Sequence, residues 1–285
     1  LQSSATFITP TNVTFDSTID GAFDLVINAG GVTQFNDQVG VGIALASITT
    51  DAPGSTTFTD SRGTTSGTNP VTTSHLINVN TTGAQTYYDR VYLGSDATFV
   101  SSLIGNIVFN NKLDGPYNLV VNTAGQTHFN DQVGSALNGA LSSITTDAPG
   151  STTFTDTVNT TPLITIKTAG GQTYNDQAYL GSATTLVSTA TGNIVFNNKL
   201  DGPYNLVVNT AGQTQFNDQV GTAVGKALAS ITTDAAGTVS FNDKYARNNG
   251  ILTVKTTGDQ TYNDAAVLQS SATFITPTNV TFDST

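Results

Sequence analysis

Short alternating runs dominate this chain. In residues 117–122, Tyr117, Leu119 and Val121 alternate with Asn118, Val120 and Asn122. Phe23, Leu25 and Ile27 take the same places in one further copy, and Tyr204, Leu206 and Val208 in another. Apolar residues at every second position predict a half-buried strand, because side chains alternate across a pleated backbone. Each run ends at an Ala-Gly pair (Ala29-Gly30, Ala124-Gly125, Ala211-Gly212), where glycine permits a sharp corner. A second, shorter strand is predicted next. It turns an aromatic inward and closes on polar residues, as in FND, YND and FTD. Segments such as Asp114-Gly115-Pro116 predict turns.

The pattern recurs on two scales. Residues 105–127 and 192–214 are identical, and residues 11–33 are a diverged copy. Residues 47–60, 143–156 and 230–243 form a second related set. Three large repeats of about 89 residues follow, and residues 1–18 recur identically at 268–285. The finer period is marked by Phe15, Phe35, Phe58, Tyr87, Phe109, Phe129, Phe154, Tyr174, Phe196, Phe216, Phe241, Tyr262 and Phe282. It averages roughly 22 residues, too short for a propeller blade and too poor in Leu for a leucine-rich repeat.

Composition fits strands and turns. Thr, Val, Ile, Asn and Asp supply strands and turns, and every one of the 20 acidic residues is Asp. Three Ala- and Gly-rich stretches, residues 39–47, 133–142 and 220–230, read either as helical turns or as loops inserted at one corner.

The fold expected is all-β: a right-handed parallel β-helix, or β-solenoid, of roughly 22 residues per coil and about 12–13 coils. It forms one continuous domain over residues 1–285. Handedness follows the crossover rule for parallel strands. One coil cannot bury its own apolar face, so coils about 4.8 Å apart must share a thin core and backbone hydrogen bonds. Ladders of the motif aromatics and columns of Leu, Val and Ile are the expected core. The repeated ends predict a window on a longer array or a unit that joins head to tail. An uncapped sheet edge would otherwise invite pairing.

The units NLVVNTAGQTxFNDQVG, ALASITTDAxG and TTGxQTYNDxxxL resemble those of very large bacterial surface proteins with β-strand repeats, the filamentous-haemagglutinin-like adhesins. That resemblance implies an extracellular or cell-surface structural role, as a stiff segment of a large fibre or adhesin stalk. Copies of the chain are the partners expected, by continuation or head to tail, with lateral association of rods a further expectation. A net charge of −11 argues against nucleic acid and anionic membrane surfaces as partners. No apolar run is long enough to span a bilayer, and the lack of Cys removes thiol chemistry.

Candidate chemistry is sparse. The motif ends place Asp37, Asp60, Asp89, Asn111, Asp131, Asp156, Asp176, Asn198, Asp218, Asp243 and Asp264 in a column. Stacked carboxylates in threes would repel unless Ca²⁺ lay between coils; alternatively each Asp caps its own turn. Asn36, Asn130, Asn175, Asn217, Asn242 and Asn263 suggest ladders or turn bonds, with glycan binding the alternative. His75 and His128 do not recur and suggest no ligand set. Lys112, Lys167, Lys199, Lys226, Lys244 and Lys255 are scattered. An enzyme on this scaffold needs a constellation that breaks the repeat. The largest irregularity, residues 61–74, reads as a surface excursion. The expectation is therefore a non-enzyme with no catalytic, cofactor-binding or metal residues. A carbohydrate- or ice-binding β-helix is the alternative, and a polysaccharide-degrading enzyme stands behind it.

Overall fold

A computed structural model describes residues 1–61, 75–147, 149–234, 236–246 and 248–283. The excursion at 61–74 lies outside the described residues apart from Ser61. Every strand pairing among the described residues is parallel, and the strands wind into a three-faced β-solenoid of about 12 turns.

The first face begins with Ala5–Thr9, Asp24–Ala29, Ser47–Thr50, Gln85–Tyr87 and Ile107–Phe109. It continues through Gln126–Phe129, Ser151–Phe154 and Gln177–Leu180 to Leu200–Asp201. Bridges from Leu200 to Val220 and from Val220 to Val254 carry it on to Ile251–Lys255 and Ser271–Ile275. The second face runs from Val13–Phe15 to Leu113–Asp114 and, through bridges at Val133, on to Val280–Phe282. The third runs from bridges at Ile19 and Val39 through Leu76–Thr81 to Ala265–Leu268.

The alternation places its apolar residues as expected. Leu25, Ile27, Leu119, Val121, Leu206 and Val208 are fully buried, and so are the aromatics from Phe35 to Phe241 that close the short strands. The residue heading each run, Phe23, Tyr117 or Tyr204, lies before the strand at a corner; Phe23 and Tyr204 are exposed there.

The residues 39–47, 133–142 and 220–230 contain no helix. Each crosses one face as a loop bracketed by paired residues: Val39 and Leu45, Val133 and Leu141, Val220 and Leu228. The corner-loop alternative is the one realised.

The sequence repeat and the coil do not coincide. Each large repeat contains four units. In repeat two the first is Asp96–Ser101, Ile107–Phe109 and Leu113–Asp114, and the second is Asn118–Thr123, Gln126–Phe129 and the Val133 loop. Both fill three faces. The third unit, Ser143–Thr146 and Ser151–Phe154, fills only two, and the chain passes straight into Leu163–Thr168 on the next face. The fourth again fills three. A repeat thus occupies eleven face positions, one short of four turns, and equivalent strands move back one face per repeat. Asn118–Thr123 lies on the third face, whereas its copy Asn205–Thr210 lies on the second. Three repeats at three positions per turn take eleven turns, which returns the sequence of residues 1–18 to its starting face at 268–285.

The aromatic ladder breaks accordingly. Tyr87, Phe109, Phe129 and Phe154 stack with centroids 5.3, 5.6 and 6.2 Å apart, and Tyr174, Phe196, Phe216 and Phe241 repeat the arrangement. Between blocks the rings meet edge-on, Phe154 with Tyr174 at 84°. The expected continuous ladder is broken into separate stacked blocks, two of them quartets.

Candidate functional site

The polar clusters that recur in each repeat sit at corners. In the third unit the strand ends carry inward threonines, Thr50 and Thr56 or Thr146 and Thr152, all buried. The next turn places a carboxylate above them. Thr50 and Thr56 donate to Asp89 at 2.7 and 2.9 Å, and Thr146 and Thr152 donate to Asp176 at 2.7 and 2.9 Å. Burial pushes the Asp89 carboxyl up despite these bonds, and Asp51 adds to the rise. Burial likewise raises Asp176 to about 6, with Asp147 contributing. In the third repeat Val239 replaces the second threonine, and Asp264 accepts from the Gly237 N–H at 3.2 Å; burial raises it too.

Beside each carboxylate, Gln85, Gln172 or Gln260 is fully buried. Gln85 donates to the carbonyls of Val79 and Val100, both at 2.9 Å, and accepts from the Tyr87 hydroxyl at 2.9 Å. It bonds the preceding strand of its own turn to the following turn at the place where the aromatic block begins. Burial lifts Tyr87 and Tyr174 well above the ordinary phenol value. The Gln-Thr-Tyr recurrence at 85, 172 and 260 was the sequence signal for this knot.

The expected Asp column is divided by the change of face. Asp89, Asn111, Asp131 and Asp156 follow the first face, whereas Asp176, Asn198, Asp218 and Asp243 follow the third. The trios Asp37–Asp60–Asp89, Asp131–Asp156–Asp176 and Asp218–Asp243–Asp264 are therefore not stacks, because the third member of each lies on another face. Asp37, Asp131 and Asp218 each accept from the following backbone N–H at 2.7–2.8 Å, as turn caps do. Asn111 and Asn198 do the same. Burial works against the Asp156 carboxylate, but bonds from Asn159, Val158 and Leu163 hold it below the usual range. Among the described residues no group of three or more His, Cys, Asp or Glu could hold a metal ion.

Of the asparagines expected to form ladders, Asn130, Asn175 and Asn217 bond asparagines of neighbouring turns, within blocks, and Asn36 bonds an aspartate. Asn217 donates to Asn197 at 2.9 Å and Asn197 to Asn175 at 2.8 Å; Asn130 donates to Asn110 at 2.9 Å, and Asn36 to Asp16 at 2.8 Å. His75 meets the Asp60 carbonyl at 2.9 Å, and His128 meets Gln126 at 2.9 Å. Lys226 donates to the Tyr179 hydroxyl at 2.7 Å and lies over its ring.

Sequence reasoning took the Asp-Gly pairs as turns and missed their carboxylates. Asp114 and Asp201 are buried and pin the corner loop of the following turn. Asp114 accepts from the Ala136 N–H at 2.9 Å and pairs with Arg90 at 2.7 Å; Asp201 accepts from Ala223 at 3.0 Å and Gln177 at 3.2 Å. Asp20 accepts from Gly42 and Ile43. Their recurrence at 20, 114 and 201 was the available signal. Above the second loop lies a shallow depression lined by Ser135, Ala136, Leu137, Asn138, Ala140 and Lys167. Leu137 and Val224 stand almost wholly exposed at the loop tips.

Asp89 and Asp176 are thus sealed structural acids, about 2% exposed, with their oxygens held by threonines of the preceding turn. They make stability depend on pH. A carboxyl raised when folded favours the folded state below its unfolded pKa near 3.8, and loses that contribution as pH rises through about 6. For Asp176 alone, about 1.4 kcal/mol separates pH 5 from pH 8. Thermal melts are expected to rise from pH 8 to pH 5, and Asp176→Asn is expected to flatten that slope. Val239→Thr is expected to restore the missing bond to Asp264 and raise the pH 8 melt.

No family model, curated protein or solved structure matches this chain. The class that the fold defines is a β-solenoid repeat protein.

Proposed function

We propose that the chain is a structural segment of a large extracellular fibre or adhesin stalk, acting as a stiff rod. The observation that carries this reading is the slip of one face per repeat. A solenoid that reads a surface, whether ice or a glycan array, needs one face bearing the same groups along its length. Here the outward positions of the third face run Thr98, Val120, Thr145, Thr173, Val195 and Gln215. The recurring polar groups are turned into corners, where they tie each turn to the next. Such a design favours uniform stiffness over a single binding face. The resemblance of the repeat units supports the extracellular setting. The exposed Ile43, Leu137 and Val224, one from each repeat's corner loop, support lateral contacts between rods. Small-angle scattering tests the rod: a stiff cylinder roughly 53 Å long is expected from twelve levels 4.8 Å apart, and a compact or flexible profile would refute it. Protease shaving of intact source cells tests location, since fragments of this chain should be released without lysis.

A further inference from the structure

The chain contains two Asn-Gly pairs, Asn138-Gly139 and Asn249-Gly250. Both asparagines are exposed and left-handed, with φ of +58° and +55°. Their glycines differ. Gly139 is buried; its N–H donates to the Ala136 carbonyl at 2.9 Å, and its carbonyl accepts from the Gly115 N–H at 2.9 Å. A Cβ built on Gly139 would lie 2.7 Å from the Ala136 Cβ and 3.0 Å from Asp114 Oδ1. The same Asp114 carboxylate holds the Ala136 N–H. This pair is locked into its corner loop.

Asn249-Gly250 forms the centre of a tight turn, closed by the Ile251 N–H donating to the Asn248 carbonyl at 3.0 Å. Gly250 has φ +74°, and a Cβ built on it meets no atom within 4 Å among the described residues. Two successive left-handed residues are the mark of a type I′ turn, which Asn-Gly favours. Bonds from the Ala246 and Asn248 N–H groups to Asp243 anchor the chain before the pair, not the pair itself. L residues hold the left-handed conformation at a cost, so backbone preference does not oppose Asn249 leaving it.

We propose that Asn249 is a self-modification site, which deamidates through attack by the Gly250 backbone nitrogen on the Asn249 side-chain carbon Cγ. The Gly250 N–Cγ bond forms and the Cγ–Nδ2 bond breaks. The Gly250 nitrogen gives its proton to solvent, solvent returns one to Nδ2, and ammonia leaves. Water then opens the cyclic imide. Opening at Cγ yields aspartate; opening at the backbone carbonyl yields isoaspartate, which lengthens the main chain by one carbon. Glycine is needed because a following side chain would obstruct the approach of its nitrogen to Cγ. Either product places a new negative charge on the turn that leads into Ile251–Lys255. The inference goes beyond the rod reading and stands without it.

The test ages the full folded chain in neutral buffer and maps tryptic peptides by mass spectrometry. Cleavage after Arg247 and Lys255 releases residues 248–255, and cleavage after Lys112 and Lys167 releases residues 113–167. Fragmentation locates the exchange of amide for carboxyl, and an isoaspartate-specific methyltransferase with S-adenosylmethionine counts the isoaspartate. Asn249 is expected to convert at least about tenfold faster than Asn138, because Gly139 must first give up its hydrogen bond and its packing. In guanidinium chloride the two sites should convert at similar rates. Gly250→Ala should remove most of the conversion at Asn249 with the β spectrum retained. Equal or faster conversion at Asn138 in the folded chain overturns the proposal, as does an unmodified Asn249 in a sample whose denatured control converts. A tenfold gap that persists in guanidinium chloride would assign the difference to sequence alone and overturn its structural basis.

Discussion

Phe129→Asp is expected to break the solenoid at its middle. Phe129 is fully buried between Phe109 and Phe154, with ring planes 5° and 11° from parallel. Removing the ring alone costs about 3–5 kcal/mol. Aspartate adds an ionised group with no partner in an apolar stack, so the total exceeds roughly 5 kcal/mol unless the carboxyl protonates. In a solenoid each turn contacts only its neighbours, so the damage is local first. Limited proteolysis should open new sites around the Val133 loop, and the melt should broaden and fall. Phe129→Leu, which keeps most of the volume, should lose much less. An unchanged melt and unchanged protease resistance for Phe129→Asp would remove Phe129 from the core.

Gly115→Ala is expected to cost roughly 3 kcal/mol or more. Gly115 has φ +133°, a conformation that L side chains rarely adopt, and an added Cβ would lie 2.3 Å from the Leu93 carbonyl oxygen of the turn beneath. Gly21 and Gly202 repeat both the angle and the contact. The neighbouring atom is backbone in a paired strand, so nothing flexible can yield. Gly225→Ala is the control. Its φ of +70° is also left-handed, but no atom lies within 4 Å of the added carbon, so only the conformational cost of about 1–2 kcal/mol applies. Denaturant melts of the two variants should separate clash from strain; equal losses would mean that the close approach at Gly115 is not real.

The strands, their buried faces and the stacking were legible because each is written in local alternation. The Leu119–Val121 and Leu206–Val208 pairs needed only period two. The register between turns was not legible. Residues 143–156 look like any other unit, yet they fill two faces instead of three, and nothing in SITTDAPGSTTFTD states how many corners the chain turns before Leu163. That one missing face position displaces everything after it, which is why Asp131, Asp156 and Asp176 read as a column and do not form one. The Ala-rich corner loops were ambiguous for a related reason. What holds residues 134–140 is Asp114 of the preceding turn, and Asp114 in turn is held by Arg90 from the turn before that. Such contacts follow from stacking and are invisible to a local pattern.

The slip of one face per repeat is the central claim, and a disulfide tests it most directly because the chain has no cysteine of its own. Thr57 pairs with Tyr92 on the second face, whereas stacking motif on motif would pair it with Thr86, which instead lies beside Thr49 on the first face. Adjacent parallel strands bring Cα atoms to about 4.8 Å, within the range a disulfide spans. Under oxidation Thr57→Cys/Tyr92→Cys should crosslink rapidly and Thr57→Cys/Thr86→Cys should remain reduced. The reverse pattern would show that repeats stack in register and that the faces do not slip.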